Sequence, residues 1–436
     1  KNGLVLIRRM DDFYSEGWTI TIPKGVTCDY TRSDPIVFEY DHDFIDSDIQ
    51  LSPIVMPLSD ISYSFRTLNQ ETFYGLPGML ADSLPDSFGN RVFYVWLKQN
   101  HKKEADPVER LCYLGSRGMG ALEFEPQFGE ILNAGDIIEL ESLRQAASDI
   151  LAQRENFSGN ASAVSQLIEI GTSAGGARAK AIIAWNEKTG EVRSGQVKAE
   201  PGFTYWILKF DGIRPADDRQ AMPDERQHTR IELAYYYMAI ACGLDMQECR
   251  IIEEGPFSHF VTKRFDRNQE NGDKYHMQSL CGIAHMDFRK PGQYGYEEAA
   301  IVSKRLGLMP GDIENLYRRM VFNVLGCNND DHTKNISFLM NRSGKWYLSP
   351  AYDIGYAYNP EGMYAGRHQM TINGKREKLS LEDLLESAKN MNIKRSKAKK
   401  IIQEVSAGIK NWGEYAEMAG LTESNRVRVQ NDLIIL

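Results

Sequence analysis

Short apolar stretches separated by turn residues open the chain, and their spacing changes character about a third of the way along. Leu4 to Ile7, Trp18 to Ile22 and Ile36 to Glu39 read as short strands, because Gly, Pro and Asp clusters part them. Gly75 to Asn90 (GLPGMLADSLPDSFGN) is a turn-rich knot, and Arg91 to Gln99 follows with helical spacing. Gly115 to Ala121 (GSRGMGA) leads into an expected strand, Leu122 to Phe124, ahead of a helical stretch around Glu139 to Arg154. After Ala163 a glycine-rich turn, Gly171 to Gly176, introduces apolar strands at Ala181 to Trp185 and Tyr205 to Phe210, with Asn186 to Gly190 (NEKTG) as a hairpin turn. Thr229 to Gly243 reads as a helix closed by glycine, and Phe260 to Phe265 as a further strand. Beyond Gly282 the pattern is mostly helical, interrupted by a polar loop and hairpin from Gly326 to Asp353. Ser380 with Asp383 gives a capping-box start to a helix over Leu381 to Ala388. Sheet first and helices after predicts an α+β chain in two lobes.

Composition narrows the class. The chain has 436 residues, enough for roughly two or three domains at about 150 residues each. With 42% hydrophobic and 25% charged residues it suits a folded protein with a sizeable core. The longest apolar-rich run, Leu233 to Leu244, falls short of the roughly 20 residues a membrane-spanning helix needs. No secretory leader is read, and no membrane association is expected. Six cysteines lie scattered without CxxC spacing, which fits a reducing cytoplasm better than a zinc site or a disulfide framework. Lys and Arg number 51 against 60 Asp and Glu, a net charge of −9. Tight nucleic-acid binding by this chain alone is therefore not expected, since it rests on clustered positive charge. The basic run Lys394 to Lys400 (KRSKAKK) would be the place for DNA contact, though such a run is more often a wetted helix face.

The chemistry concentrates in Asn323 to Asp353. A helix is expected to end near Gly326, followed by a loop with Asp330, Asp331, His332, Lys334 and Asn335. Two strands, Ile336 to Met340 and Trp346 to Leu348, are joined by a turn at Asn341 to Gly344, and Asp353 emerges just past the second strand. An Asp-x4-Asn loop and a later Asp thus sit at opposite ends of one hairpin, which can bring their side chains together. Phosphoryl transfer needs this set: one carboxylate for the attacking hydroxyl, and an amide with a second carboxylate for Mg²⁺. Mg²⁺ suits hard oxygen ligands and keeps several waters, so few protein ligands suffice. Asp330 is the candidate base, Asn335 and Asp353 the candidate metal ligands, and Lys334 and His332 candidate phosphate neighbours. The competing reading is a solvated loop, because Asn and Asp dominate turns.

Upstream, Ile170 to Ala181 (IGTSAGGARAKA) supplies small residues that let backbone N–H groups approach phosphate oxygens, although no Gly-Lys-Ser/Thr ends it as in a Walker A loop. Lys209 lies late in a strand between Leu208 and Phe210, where an edge-strand charge is the plain alternative. Glu232 lies near the start of an apolar helix, where an acid also favours the helix dipole. Strand Lys, helix Glu, Asp-x4-Asn and a later Asp follow the order in which a protein kinase meets its parts.

These stretches resemble the HipA family of bacterial serine/threonine kinases, the toxins of type II toxin–antitoxin pairs. The similar segments are LADSLPDSFGNR at 80 to 91, LGSRGMGALEFEP at 114 to 126, TSAGGARAKA at 172 to 181, YWILKFDG at 205 to 212, VTKRFDR at 261 to 267, NNDDHTKN at 328 to 335, LSPAYDI at 348 to 354 and INGK at 372 to 375. The resemblance implies a two-lobed, protein-kinase-like (HipA-like) fold. An amino-terminal β-rich subdomain would span 1–130, a part with the glycine-rich loop and hinge 131–265, and a helical lobe with the catalytic loop 266–436. It implies ATP and Mg²⁺ as cofactors, Asp330 as catalytic aspartate, and Asn335 and Asp353 as metal ligands. Lys209 resembles the nucleotide-contacting lysine, with Glu232 its partner. Gly175, Gly176, Ala177, Arg178 and Lys180 fall in the phosphate loop, and Lys263 and Phe265 in the hinge facing adenine. His332 and Lys334 fall where family members also touch the nucleotide. Lys263 stands where several relatives carry an acid. The implied partners are a helix-turn-helix antitoxin (HipB-like), DNA only through that antitoxin, and a cytoplasmic protein substrate, aminoacyl-tRNA synthetases being known targets in the family.

Two other readings are open: a small-molecule kinase of the aminoglycoside or choline type, and a catalytically silent co-repressor of a DNA-binding antitoxin. Ser173 matches the serine that some family members autophosphorylate, with Thr172 beside it as the alternative acceptor. A phosphate there adds about −1.5 to −2 charges to a loop meant to cradle phosphates and would push it out. Active protein should accumulate phosphate at residue 173 as it loses activity. Phosphopeptide mass spectrometry checks this, and a Ser173→Ala variant that still switches off contradicts it.

Overall fold

A computed structural model describes residues 20–21, 36–128, 137–151, 161–170, 178–213, 227–362 and 365–436. The expected strand Leu4 to Ile7 and the glycine-rich turn 171–176 lie outside them, as do Ser173, Gly175, Gly176 and Ala177. Contacts divide the chain into two compact units, Lys1–Pro223 with Ile252–Met277 and Asn341–Gly344, and Asp224–Ile251 with Gln278–Met340 and Lys345–Leu436.

In the first unit, β1 (Ile20–Thr21) pairs antiparallel with β2 (Glu39–Tyr40). Among the described residues of 1–130, the only further bridges with both partners in this stretch are Phe38–Tyr63 and Ser52–Met56, and helices supply much of the rest. The expected strand Leu122 to Phe124 does not form. That segment is tied to its neighbours by single bonds, such as Phe124 N to Gly115 O, rather than by a ladder. Helix Ser87–Gln99 starts earlier than expected, because the Asp86 side chain caps it by accepting from Gly89 N at 2.7 Å.

A five-stranded sheet follows, built from β3 (Lys180–Trp185), β4 (Val192–Ser194), β5 (Thr204–Lys209), β6 (Cys249–Glu254) and β7 (Phe257–Lys263), in the order β4-β3-β5-β7-β6. β5 is the central strand, so Lys209 is no edge-strand charge: it faces Lys180 on β3 and Phe260 on β7. One core joins helix Ser87–Gln99 (Phe88, Val92, Phe93) to helices Leu140–Leu151 and Ala161–Ile170 and to Ile183, Trp206 and Val261 of the sheet.

Just past the end of β7 a buried charge cluster ties two distant loops. Asp266, fully buried, receives Arg264 Nη2 at 2.8 Å, Arg267 Nη1 at 2.7 Å and the Gly120 N–H at 2.8 Å. Arg267 also donates to the carbonyls of Gly118 and Gly120, both at 3.1 Å. Gly120 has φ +76°, and a Cβ there would come within 3.0 Å of Met277 N, so glycine is required for this approach. Burial alone would raise the Asp266 pKa, but the two guanidinium groups hold it well below the usual carboxylate range.

β8 (His276–Ser279), whose last two residues belong to the second unit, runs into helix Leu280–Ala284, capped by Ser279. The unit also holds helices His228–Ala241, Tyr296–Arg305, Pro310–Leu325, Leu381–Asn390 and Arg395–Lys410 and the hairpin of β9 (Ser337–Met340) and β10 (Trp346–Leu348), with β10 packed on Pro310–Leu325. The capping box of Ser380 and Asp383 is formed. The basic run lies at the start of Arg395–Lys410. It turns Ala398 inward and pairs Arg395 with Glu382 and Lys397 with Glu314.

Asp266→Asn should destabilise the protein by about 3–5 kcal/mol, because it strands two buried guanidinium groups. The Asp266 contribution is complete above the unfolded-state carboxylate pKa of about 4 and is lost as pH falls towards its lower folded value. Urea unfolding at pH 7 and in the acid range should therefore show the gap between parent and variant closing on acidification.

Candidate active site

Helix Pro310–Leu325 ends at Gly326, and Cys327 turns the chain with a left-handed φ of 52°. The next residues pair with the segment that follows Asp353: Ala357 N donates to Cys327 O at 3.2 Å and Asn329 N to Ala357 O at 3.1 Å. On the other side of Asp353, Ser349 N donates to Ser337 O at 2.9 Å, beside the hairpin. Asp353 lies midway between these ties and also takes a left-handed φ, 50°. Asp tolerates that region better than most side chains, and a strained backbone held by ties on both sides is common where geometry matters.

The loop alternates. Asp330 is 59% exposed on its side chain, Asp331 and Thr333 are buried, and His332 and Lys334 are half-buried. Thr333 Oγ1 donates to Met286 O at 2.6 Å, pinning the short turn Thr333–Asn335. Asn335 Nδ2 donates to the Asp330 carbonyl at 2.8 Å, which fixes the amide and turns its Oδ1 away from that bond. Asn335, Asp353, Asn328, His332, Asp331 and Arg319 all line one recess, so the two candidate ligands do come together. Partial desolvation, with the nearby charges of Asp353 and Asp331, raises the Asp330 pKa above its ordinary value, and His332 opposes this with Nε2 at 4.0 Å. A carboxylate so placed is a better proton acceptor than a free one. Phe288 forms a floor beside the loop, with His332 against its ring and Lys334 Nζ 5.0 Å from its centroid.

The donor set fits a hydrated Mg²⁺. Asn335 and Asp353 offer hard oxygens, and Asn328 Oδ1, buried in the same recess, has no protein donor and is available to a metal-bound water. Among the described residues no cluster of three or more His, Cys, Asp or Glu side chains forms a closed metal cage.

The remaining candidates lie elsewhere. Lys209, Lys263, Phe265, Arg178 and Lys180 belong to the first unit and Glu232 to the second. Lys209 Nζ stands 5.6 Å from the Phe260 ring centroid and Lys263 Nζ 5.1 Å from that of Trp206. Phe265 is half-buried and Arg178 exposed. Glu232 is the fifth residue of helix His228–Ala241, past the first turn, so the dipole explanation does not apply. Lys180 is buried, with Nζ 2.9 Å from Asp86 Oδ2. Asp86 comes from the LPDSFGN stretch, which links that motif to the strand after the glycine-rich turn. Asp331, Tyr296, Asn328 and Phe288 were not singled out as site residues from the sequence. The two-residue alternation of the loop is the signal that separates Asp331 from Asp330.

The described elements make an α+β chain in which an Asp-x4-Asn loop and a later Asp come to one recess. A family model described as HipA-like C-terminal domain matches residues 172–412, and one described as HipA N-terminal domain matches 27–125. The chain belongs to the HipA family. Its fold is similar to that of HipA from Shewanella oneidensis MR-1, solved in a toxin–antitoxin complex with HipB and operator DNA. Sequence identity is 17%, 95% of this chain and 92% of that one are covered, and the TM-score is 0.65. A looser likeness, to the Helicobacter pylori proinflammatory kinase CtkA, has 12% identity and a TM-score of 0.32, and covers 54% of this chain and 94% of that one. A search of curated protein sequences finds no match.

Lys180→Met should destabilise the first unit by about 3–5 kcal/mol, since it removes the ammonium ion from a largely buried carboxylate. Adding Asp86→Asn, which keeps the cap on Ser87–Gln99, should recover part of the loss. A double-mutant cycle by thermal or urea unfolding measures the coupling.

Proposed function

We propose that this chain is an ATP- and Mg²⁺-dependent serine/threonine protein kinase of HipA type. In this reading it acts as a toxin on a cytoplasmic protein and autophosphorylates at Ser173. The observation that carries the reading is the shared recess of Asn335 and Asp353, with Asp330 tied to Asn335 through its own carbonyl. Asp330 takes the proton of the acceptor hydroxyl, helped by its raised pKa. Asn335 and Asp353 would hold the metal ion, which would supply positive charge to the nucleotide phosphates. Lys334 and His332, steadied against Phe288, face those phosphates. Lys209, Glu232, Lys263, Phe265 and Arg178, with Gly175, Gly176 and Ala177, are assigned to the nucleotide, while Lys180 supports the start of β3 through Asp86.

Membership of the HipA family, and the likeness to a HipA solved with HipB and operator DNA, support a helix-turn-helix antitoxin as partner, with DNA reached through it. No helix among the described residues is long and apolar enough to cross a membrane. Aminoacyl-tRNA synthetases are the first substrates to try.

Incubation with labelled Mg-ATP and a cell extract should place label on protein. Label on a small metabolite would favour the aminoglycoside-type reading instead, and no transfer the silent one. Asp330→Asn should lower transfer by about 10²–10⁴-fold while nucleotide binding persists. Equal rates for parent and variant would remove Asp330 from the role of base.

A further inference from the structure

Asp331 adjoins the proposed base yet has no task in the chemistry above. Its side chain is 1% exposed and is held from three directions. Oδ1 accepts the Gln369 N–H at 2.7 Å, and Oδ2 accepts the Tyr296 hydroxyl at 2.9 Å and lies 2.9 Å from His368 Nδ1. An ionised carboxylate only accepts, so His368 presents an N–H at that nitrogen. Burial and the Asp331 charge push the Tyr296 phenol well above its ordinary pKa, which keeps its O–H a donor.

The chain of bonds then returns to the loop. Tyr296 Oη accepts from Asn323 Nδ2 at 2.9 Å, and Asn323 Oδ1 accepts from Asn328 Nδ2 at 2.9 Å. Residues 328 and 331 are thus anchored to one buried network, with Asp330 between them. Asn329 adds a bond from Nδ2 to Ala365 O at 3.1 Å. Three separate elements bear on the loop in this way: helix Tyr296–Arg305, helix Pro310–Leu325 and the segment 365–369.

That segment leads into the INGK motif, whose use the chemistry left open. Asn373 Nδ2 donates to Asp383 Oδ1 at 3.0 Å, and Lys375 Nζ lies 2.8 Å from the same carboxylate. Tyr296 N donates to Thr371 O at 3.0 Å, and Thr371 N to Tyr294 O at 2.9 Å. INGK therefore fastens the 368–369 donors to helix Leu381–Asn390, giving Asp331 rigid partners.

We propose that Asp331 is a positioning residue for the active site, and that Tyr296, His368 and Gln369 set the aim of Asp330 through it. This rests on the kinase reading for its catalytic consequence, though not for its structural one. The loop has no regular ladder of its own, so without these bonds Asp330 would sample orientations off the acceptor hydroxyl. A misplacement of about 1 Å costs roughly 10²-fold in rate.

Tyr296→Phe is the cleanest test, because it keeps the ring and removes one hydroxyl from the network. Tyr317→Phe is its control. Tyr317 is also fully buried on the same unit, and its hydroxyl donates to Leu384 O at 3.0 Å, away from the loop. For Tyr296→Phe, kcat of Mg-ATP-dependent transfer should fall about 10- to 100-fold with KM for ATP unchanged. Amide hydrogen exchange over 328–335 should accelerate. Tyr317→Phe should change neither at equal folded fraction. If both variants lose activity and protection alike, the bonds only stabilise the unit and the proposal is overturned. If the parent transfers no phosphate, the kinase reading fails separately, and accelerated exchange confined to Tyr296→Phe still supports Asp331 as the anchor of the loop.

Discussion

The backbone pairing of Cys327 and Asn329 with Ala357 is the constraint on which the candidate site depends. Asp330 and Asp353 are separated by a hairpin that could close in many registers, and one amide bond on each side of Ala357 selects one. A typical hydrogen bond contributes only about 1 kcal/mol net, so these two bonds alone would not hold the register. They succeed because the second tie, Ser349 to Ser337, and the buried side chains around the loop oppose the same slippage. Tyr352 closes the arrangement, its hydroxyl meeting Lys334 O and Ser337 Oγ. The shared recess of Asn335 and Asp353 is thus a consequence of strand register.

Each unit has a buried carboxylate that gathers several donors, and the two are met differently. Asp266 is met by two guanidinium groups and one amide, and Asp331 by a phenol, an imidazole and an amide. Charged donors bind more strongly, but removing one partner leaves a buried ion, with a penalty of several kcal/mol. Hydrogen bonds from uncharged donors are individually weaker and directional, and losing one leaves a smaller defect. The first arrangement suits a joint that must not open. The second suits a loop whose orientation, more than its attachment, is what matters.

Much of this was legible in the residues. Helix Leu381–Asn390 and its capping box, the hairpin of β9 and β10, and the convergence of Asn335 with Asp353 follow from periodicity and turn chemistry. Leu122 to Phe124 misled because an apolar run reads as a strand even where side chains and single bonds, not a ladder, hold it. Lys180 misled for a related reason. Its place after a glycine-rich turn suggests phosphate, while the partner that claims it, Asp86, lies 94 residues earlier and is found only in three dimensions. The cluster of Arg264, Asp266 and Arg267 was invisible in the same way, because a KRFDR run looks solvated until its burial is known.

The adjacent pair Asp330–Asp331 shows how one residue type does two jobs. An extended backbone sends successive side chains to opposite sides, so one carboxylate faces solvent while the next is driven inward. Inside, a carboxylate survives only with its lone pairs met, and Tyr296, His368 and Gln369 meet them. Outside, Asp330 stays open to solvent, and the negative neighbours that help raise its pKa are Asp353, a candidate ligand, and the buried Asp331. The same two charges that would make the loop unstable if unmet therefore tune the Asp330 carboxylate. A neutral residue at 331 would lose the anchor and relax that tuning together, which ties the stability of the loop to its chemistry.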